Sequence, residues 1–268
     1  MAQSDTRPTS GPLVHLIAGP TGVGKSAAAT RLARATGVPI VVADRLQCFT
    51  DLATTSARAG ADVPGVRRYW LGDRTFADGD LSAAEAADAL VALVERLGAL
   101  HRSVIVEGGS ISLLRELAAR RADLSWRLSV RLLSPPGRDE YVAALARRAR
   151  EMLAPQAPGD SLLQELAALW REPRQRLLAA SVNGFEAVLE CCAKYALEVE
   201  SVDRQPLSEH VLDRMAALIA ERHAEHGFLQ HRVFSEIFDS PIAGPEFDGF
   251  DGLDGSDGSD GDFLERVA

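Results

Sequence analysis

Gly19–Pro20–Thr21–Gly22–Val23–Gly24–Lys25–Ser26 has the spacing G-x-x-x-x-G-K-[ST]. These residue types build an anion cradle. Glycines let the backbone turn so that several N–H groups point inward, and a helix starting there adds partial positive charge. Lys25 supplies a mobile cation, Thr21 a hydroxyl, and Ser26 a second hydroxyl able to hold Mg2+. The bland alternative is a glycine-rich turn that binds nothing. It loses weight because an apolar run precedes the loop and a helical pattern follows it. The loop predicts binding of a di- or triphosphate without saying whose. Asp44 ends a second apolar run, and a carboxylate there can coordinate magnesium, accept a substrate proton or cap a helix. Glu107–Gly108–Gly109–Ser110 ends a third, where glycines permit close backbone approach to a ligand or serve a tight turn.

These residues need strands to carry them. Leu13–Ala18, Ile40–Ala43, Ser103–Glu107 and Leu128–Leu133 are short apolar runs that read as buried parallel strands. Helices are predicted over Lys25–Ala35, ended by Gly37 and Pro39, and from a Ser82 cap to Leu97, with Glu85 at the capping-box position. Strands alternating with helices imply an α/β fold, a P-loop NTPase-like parallel sheet with flanking helices. In such sheets ligands sit beyond the carboxyl ends of the strands, which gathers Asp44 and Gly109 near the loop. After Pro136 the pattern turns helical: Asp139–Leu153, Ser161–Trp170, Arg174–Ala180, Phe185–Leu197 and Ser208–His226. The expected organisation is a disordered arm over 1–12 and an α/β core over 13–135. A helical region over 136–239 covers that core, and a disordered acidic tail fills 240–268.

The chain has 268 residues and a formal net charge of −9. Residues 240–268 hold six Asp and two Glu against one Arg, so the rest carries only −2. A body without a basic footprint argues against a dedicated nucleic-acid binder. Only Lys25 and Lys194 are lysines. Arg-for-Lys usage with abundant Ala suggests a GC-rich genome, so the Arg excess is not functional evidence. The DGSDGSDGD run in the tail resembles a calcium loop but lacks the Glu and flanking helices of one. Cys48, Cys191 and Cys192 give neither a disulfide framework nor zinc spacing and read as reduced cytosolic thiols. No apolar run approaches the roughly 20 residues of a membrane span. The expectation is a cytoplasmic monomer or weak dimer.

HLIAGPTGVGKS (15–26), ADRLQC (43–48), EGGSISLL (107–114), REML (150–153) and SLLQELAALW (161–170) together resemble the bacterial adenylate isopentenyltransferases that make cytokinins. The likeness runs in one order from about Val14 to His226. More distantly the chain is similar to tRNA dimethylallyltransferases. The resemblance implies a repurposed cradle that holds the diphosphate of a prenyl donor through Gly19, Thr21, Gly22, Gly24, Lys25 and Ser26, with magnesium on Ser26. It implies AMP as acceptor, prenylated at N6, with Asp44 taking the N6 proton and Thr21 and Lys25 assisting departure of diphosphate. It assigns Ser56, Arg58, Gly109, Ser110 and Arg148 to acceptor binding, and His223 and His226 to the donor side.

The chain departs from the family pattern at three positions. His223 stands where Tyr is common, Asn183 where Asp often precedes the Gly-aromatic pair, and Ala18 where Tyr commonly precedes the loop. Asn183 and His226 are the expected determinants of donor choice. Loss of a carboxylate removes a partner for a donor hydroxyl, so dimethylallyl diphosphate is the default donor and a longer geranyl-type donor is the alternative. Three rivals remain: a small-molecule kinase with Arg138–Arg150 as its lid, a tRNA-modifying enzyme, and a nucleotide-dependent binding module without chemistry.

Overall fold

A computed structural model describes residues 11–58, 63–155 and 159–238. The arm up to residue 10 and the acidic tail, including the calcium-loop-like run, lie outside the described residues. Five parallel strands form one sheet: β1 (Leu13–Ala18), β2 (Ile40–Ala43), β3 (Arg68–Trp70), β4 (Ser103–Gly108) and β5 (Arg127–Leu132), in the order β3-β2-β4-β1-β5. The α/β fold class expected from the sequence is borne out. Central strands are buried along nearly their whole length, as continuous Val/Ile runs require, whereas the edge strand β5 alternates exposed Arg with half-buried residues.

Helix α1 (Lys25–Thr36) covers one face of the sheet through Ala28, Ala29 and Leu32 on Ile17, Ile40 and Ile105. The other face carries α2 (Ala83–His101) and α3 (Ile111–Ala119), whose leucines pack on Leu16, Val41 and Val106. The expected Ser82–Glu85 capping box closes α2: Ser82 Oγ accepts from Glu85 N–H at 3.2 Å, and Glu85 Oε2 accepts from Ser82 N–H at 2.9 Å.

The helical half comprises α4 (Arg138–Leu153), α5 (Leu162–Trp170), the short α6 (Arg176–Ala179), α7 (Phe185–Tyr195) and α8 (Glu209–Phe238). Four departures from expectation stand out. β3 and α3 are additional elements. The helix expected over Arg174–Ala180 shrinks to one turn. α7 stops at Tyr195 because Ala196 turns left-handed, with φ 52°. α8 does not stop at His226 but runs on to Phe238, because Val233 and Phe234 find the sheet core beside α3. One 30-residue helix therefore belongs to both halves. It packs Leu212, Met215 and Ile219 among α5 and α7, Ala220 and Ala224 against α4, and its last turns under the sheet.

Candidate active site

Strand register creates the site. Ala18 lies opposite Gly108, and Gly108 opposite Ala43, so β1, β4 and β2 end at one level. Neighbouring strands run about 4.8 Å apart. Gly19, Gly109 and Asp44 therefore leave the sheet side by side. Positive φ at Gly22 (78°) and Gly24 (86°) turns the loop into α1, whose first residue is Lys25. Lys25 Nζ donates to the Pro20 carbonyl at 2.5 Å. Ser26, the next helical residue, is exposed at the helix mouth.

Burial pushes the Lys25 ammonium down to about 8; the Asp44 carboxylate pulls against that shift, and the Arg148 guanidinium adds to it. Asp44 moves the opposite way. Burial raises its carboxyl above the usual carboxylate range, against the pull of the Leu46 N–H, Lys25 and the Gln47 N–H. Its Oδ1 accepts from Leu46 N–H at 2.9 Å, fixing the carboxylate over a short turn. Asp44 therefore caps the short turn that follows β2.

The helical half supplies the opposite wall. Arg148 on α4 sits close enough to Lys25 and to His223 to disfavour a proton on either. Burial holds the His223 imidazole at about 4, against a hydrogen bond to the Asn183 backbone. His226, one turn further along α8, is also lowered by burial, with Glu186 opposing. Pairwise influences thus link Asp44 to Lys25, Lys25 to Arg148, and Arg148 to His223, which in turn neighbours Asn183 and His226. Burial disfavours the charged form of both histidines.

Ser56 and Arg58 lie in the segment after β2. Ser56 is buried and its Oγ accepts from Arg58 N–H at 3.3 Å. Arg58, expected at the acceptor, has partners within its own chain. It stacks on Trp70, 4.6 Å from the ring centroid, donates to the Gln47 carbonyl at 2.8 Å, and pairs with Asp73. Arg58 thus braces β3 against the Asp44 turn. Ser110 opens α3 without a capping hydrogen bond. A small cavity of about 220 Å³ opens between this segment and α4, lined by Thr54, Ala57, Arg148, Glu151 and Met152.

Three positioning groups were not read from the sequence. Glu165 on α5 is buried and accepts from Thr54 N–H (2.7 Å) and Thr55 N–H (2.9 Å), anchoring the Ser56 segment. Tyr141 on α4 donates its hydroxyl to the Thr21 carbonyl at 2.5 Å. Gln230 on α8 is buried against the phosphate loop. A polar residue inside an apolar helix stripe was the available signal: Glu165 lies among Leu162, Leu166 and Leu169, and Gln230 beside Val233 and Phe234.

The isopentenyl transferase family model matches residues 12–243. The chain belongs to the isopentenyl transferase family. It is therefore a prenyl-transferring enzyme, and the family resemblance expected from the sequence is borne out. It is 40% identical to an adenylate dimethylallyltransferase from Rhodococcoides fascians, over 86% of this chain and 91% of that relative. It is 34% identical to an adenylate dimethylallyltransferase from Ralstonia solanacearum, over 82% of this chain and 93% of that relative. Among solved structures, a tRNA delta(2)-isopentenylpyrophosphate transferase from Staphylococcus epidermidis aligns with a TM-score of 0.58 at 12% identity, covering 83% of this chain and 90% of its own. A tRNA isopentenylpyrophosphate transferase from Bacillus halodurans aligns at 0.56 and 15% identity, covering 80% and 86%. These two show that the family fold is present.

Proposed function

We propose that the chain transfers a dimethylallyl group from its diphosphate to N6 of AMP, in the cytoplasm. The observation that carries this reading is the common end of β1, β2 and β4, which sets a cationic anion cradle beside the half-buried Asp44 carboxylate. In the reaction the N6–C1 bond forms as the C1–O bond to diphosphate breaks. The electron pair leaves with diphosphate, and the N6 proton passes to Asp44. An aromatic amine is a poor nucleophile because its lone pair is delocalised. A carboxylate aimed at its N–H, with a pKa raised by burial, helps as the bond forms.

The loop amides, Lys25 and Thr21 absorb the charge that develops on the leaving diphosphate. Among the described residues no cluster of three acidic, His or Cys side chains could hold a metal by itself. Magnesium usually keeps waters and takes only one or two protein groups besides substrate phosphates. Ser26 would hold it, and the ion would neutralise charge on the departing diphosphate. Arg148 faces the acceptor phosphate from α4. His223 and His226 with Asn183 line the donor side, where Asn183 offers no carboxylate to a hydroxylated C5 donor and Glu186 stands beside His226.

The test is a matrix of AMP, ADP, ATP, adenosine and tRNA against C5, hydroxylated C5 and C10 diphosphates, read as prenylated product by mass and as released diphosphate. The expected result is prenyl-AMP from the C5 donor. Prenylation of tRNA alone, or phosphoryl transfer from ATP without prenylated product, would overturn the reading.

A further inference from the structure

Gln230 is 4% exposed, and both ends of its amide are used. Oε1 accepts from Thr21 N–H at 3.1 Å, and Nε2 donates to the Gly109 carbonyl at 2.5 Å. Thr21 belongs to the phosphate loop and Gly109 to the end of β4, and no backbone hydrogen bond links those two residues in the register that ends at Ala18 and Gly108. A buried amide that joins two segments from a third must be matched at both ends, because an unmatched buried donor or acceptor keeps the full cost of losing its water. The amide also has a required sense, oxygen toward the N–H and nitrogen toward the carbonyl.

The surroundings hold this contact in place. Val233 and Phe234, a turn further along α8, are locked in the sheet core, and Ala224, a turn and a half earlier, packs on α4. Between them Gly227 lets the Tyr141 hydroxyl pass: a Cβ there would stand 2.4 Å from that oxygen. Tyr141 then takes the Thr21 carbonyl while Gln230 takes the Thr21 N–H. The Thr21 peptide is gripped from both sides by helices of the other half. Gly109 is closely packed too, though less tightly: a Cβ on it would lie 3.1 Å from the Gly19 carbonyl oxygen and 3.2 Å from both Gln230 Nε2 and Lys25 Nζ.

We infer that Gln230 is a positioning residue that rivets the donor cradle to the acceptor wall and so fixes the separation of the two substrates. This rests on the proposed reaction for its kinetic form. Prenyl transfer needs C1 and N6 in near-attack geometry, and a misplacement of about 1 Å costs roughly 100-fold in rate. Gln230 touches neither reacting atom, so its loss falls on turnover more than on the binding of either substrate.

Gln230→Glu keeps size and the acceptor for Thr21 N–H but sets an oxygen against the Gly109 carbonyl. Gln230→Met keeps volume and helix propensity and removes both bonds. The expected result for each is a fall in kcat of about 10- to 100-fold, with KM for AMP and for dimethylallyl diphosphate changed by less than about threefold. Amide hydrogen exchange without substrates provides a readout independent of activity: peptides spanning residues 19–24 and 108–112 lose protection, while those of α2 and α7 do not. Unchanged kcat with unchanged exchange would overturn the inference. So would a loss of activity that tracks a lowered Tm and exchange rising everywhere, since that marks a merely structural residue. If the parent makes no prenyl-AMP, the proposed reaction fails, and the exchange pattern alone still decides whether Gln230 links the two segments.

Discussion

Lys25 and Asp44 are displaced toward each other on the pH scale, one lowered to about 8 and the other raised by burial. Donor capture needs Lys25 protonated and proton acceptance needs Asp44 ionised. The expected profile of kcat/KM for the prenyl donor is therefore a bell. Its alkaline limb falls tenfold per pH unit above about 8, and its acid limb lies above the ordinary carboxylate range. Lys25→Arg carries a cation that does not titrate in this range, so the alkaline limb moves out of view; a limb persisting near 8 in that variant would assign it elsewhere. The stability sign runs the other way. Between about 8 and the ordinary lysine value of roughly 10.4 the unfolded chain holds a proton that the folded one lacks, so Lys25 makes stability rise with pH across that window. Asp44→Asn keeps an oxygen for Leu46 N–H and removes the base. Turnover should drop by about 10²–10⁴ with little change in donor KM, as steady-state kinetics would show. The loop and Asp44 were legible because their chemistry is local. The contacts of Arg58 were not legible: its partners Gln47, Asp73 and Trp70 are brought together only by folding, and no spacing announces them.

At the scale of elements, the strands legible in the sequence were those rich in Val and Ile. β3, only Arg68–Trp70, is too short and too polar to read, yet it carries a structural charge. Arg68 pairs across β2 with Glu107 at the end of β4, the side chains 5% and 3% exposed, and also donates to Thr30 Oγ1 on α1. Glu107, which reads as a residue of the rim, is thereby turned under the sheet toward α1. Removing one member leaves an uncompensated buried charge, so Arg68→Met or Glu107→Ala should each cost about 3–5 kcal/mol. The paired change R68M/E107L should recover most of that loss. Urea midpoints of the three variants measure it, and additive losses in the double variant would argue against a direct pair. α3 went unread because its first turn follows Gly108–Gly109 immediately, where the glycines draw attention to a loop.

For the whole molecule, the helical half is no independent satellite. The sequence reading ended its last helix at His226, although Phe228, Leu229, Val233, Phe234, Ile237 and Phe238 continue the helical apolar spacing beyond it. What continues the helix is tertiary: a groove beside β1 and α3 that accepts Val233 and Phe234. A fully buried side chain of that kind contributes about 1.5–3 kcal/mol. Ending the chain after His226 should therefore give a protein that lacks cooperative thermal unfolding, seen as loss of the calorimetric transition and not only of turnover. A shortened chain that still melts sharply would show that α8 is dispensable to the core. Among the described residues no helix is long and apolar enough to cross a membrane.

The two grips on the Thr21 peptide come from residues 120 and 209 positions further along the chain. During synthesis the anion loop emerges among the first segments, but its shape is completed only when the last helix has left the ribosome and docked. Closing so long a loop is slow compared with local helix formation. Affinity for prenyl diphosphate should accordingly appear late in refolding, with the final docking phase, and not with the early gain of helical signal.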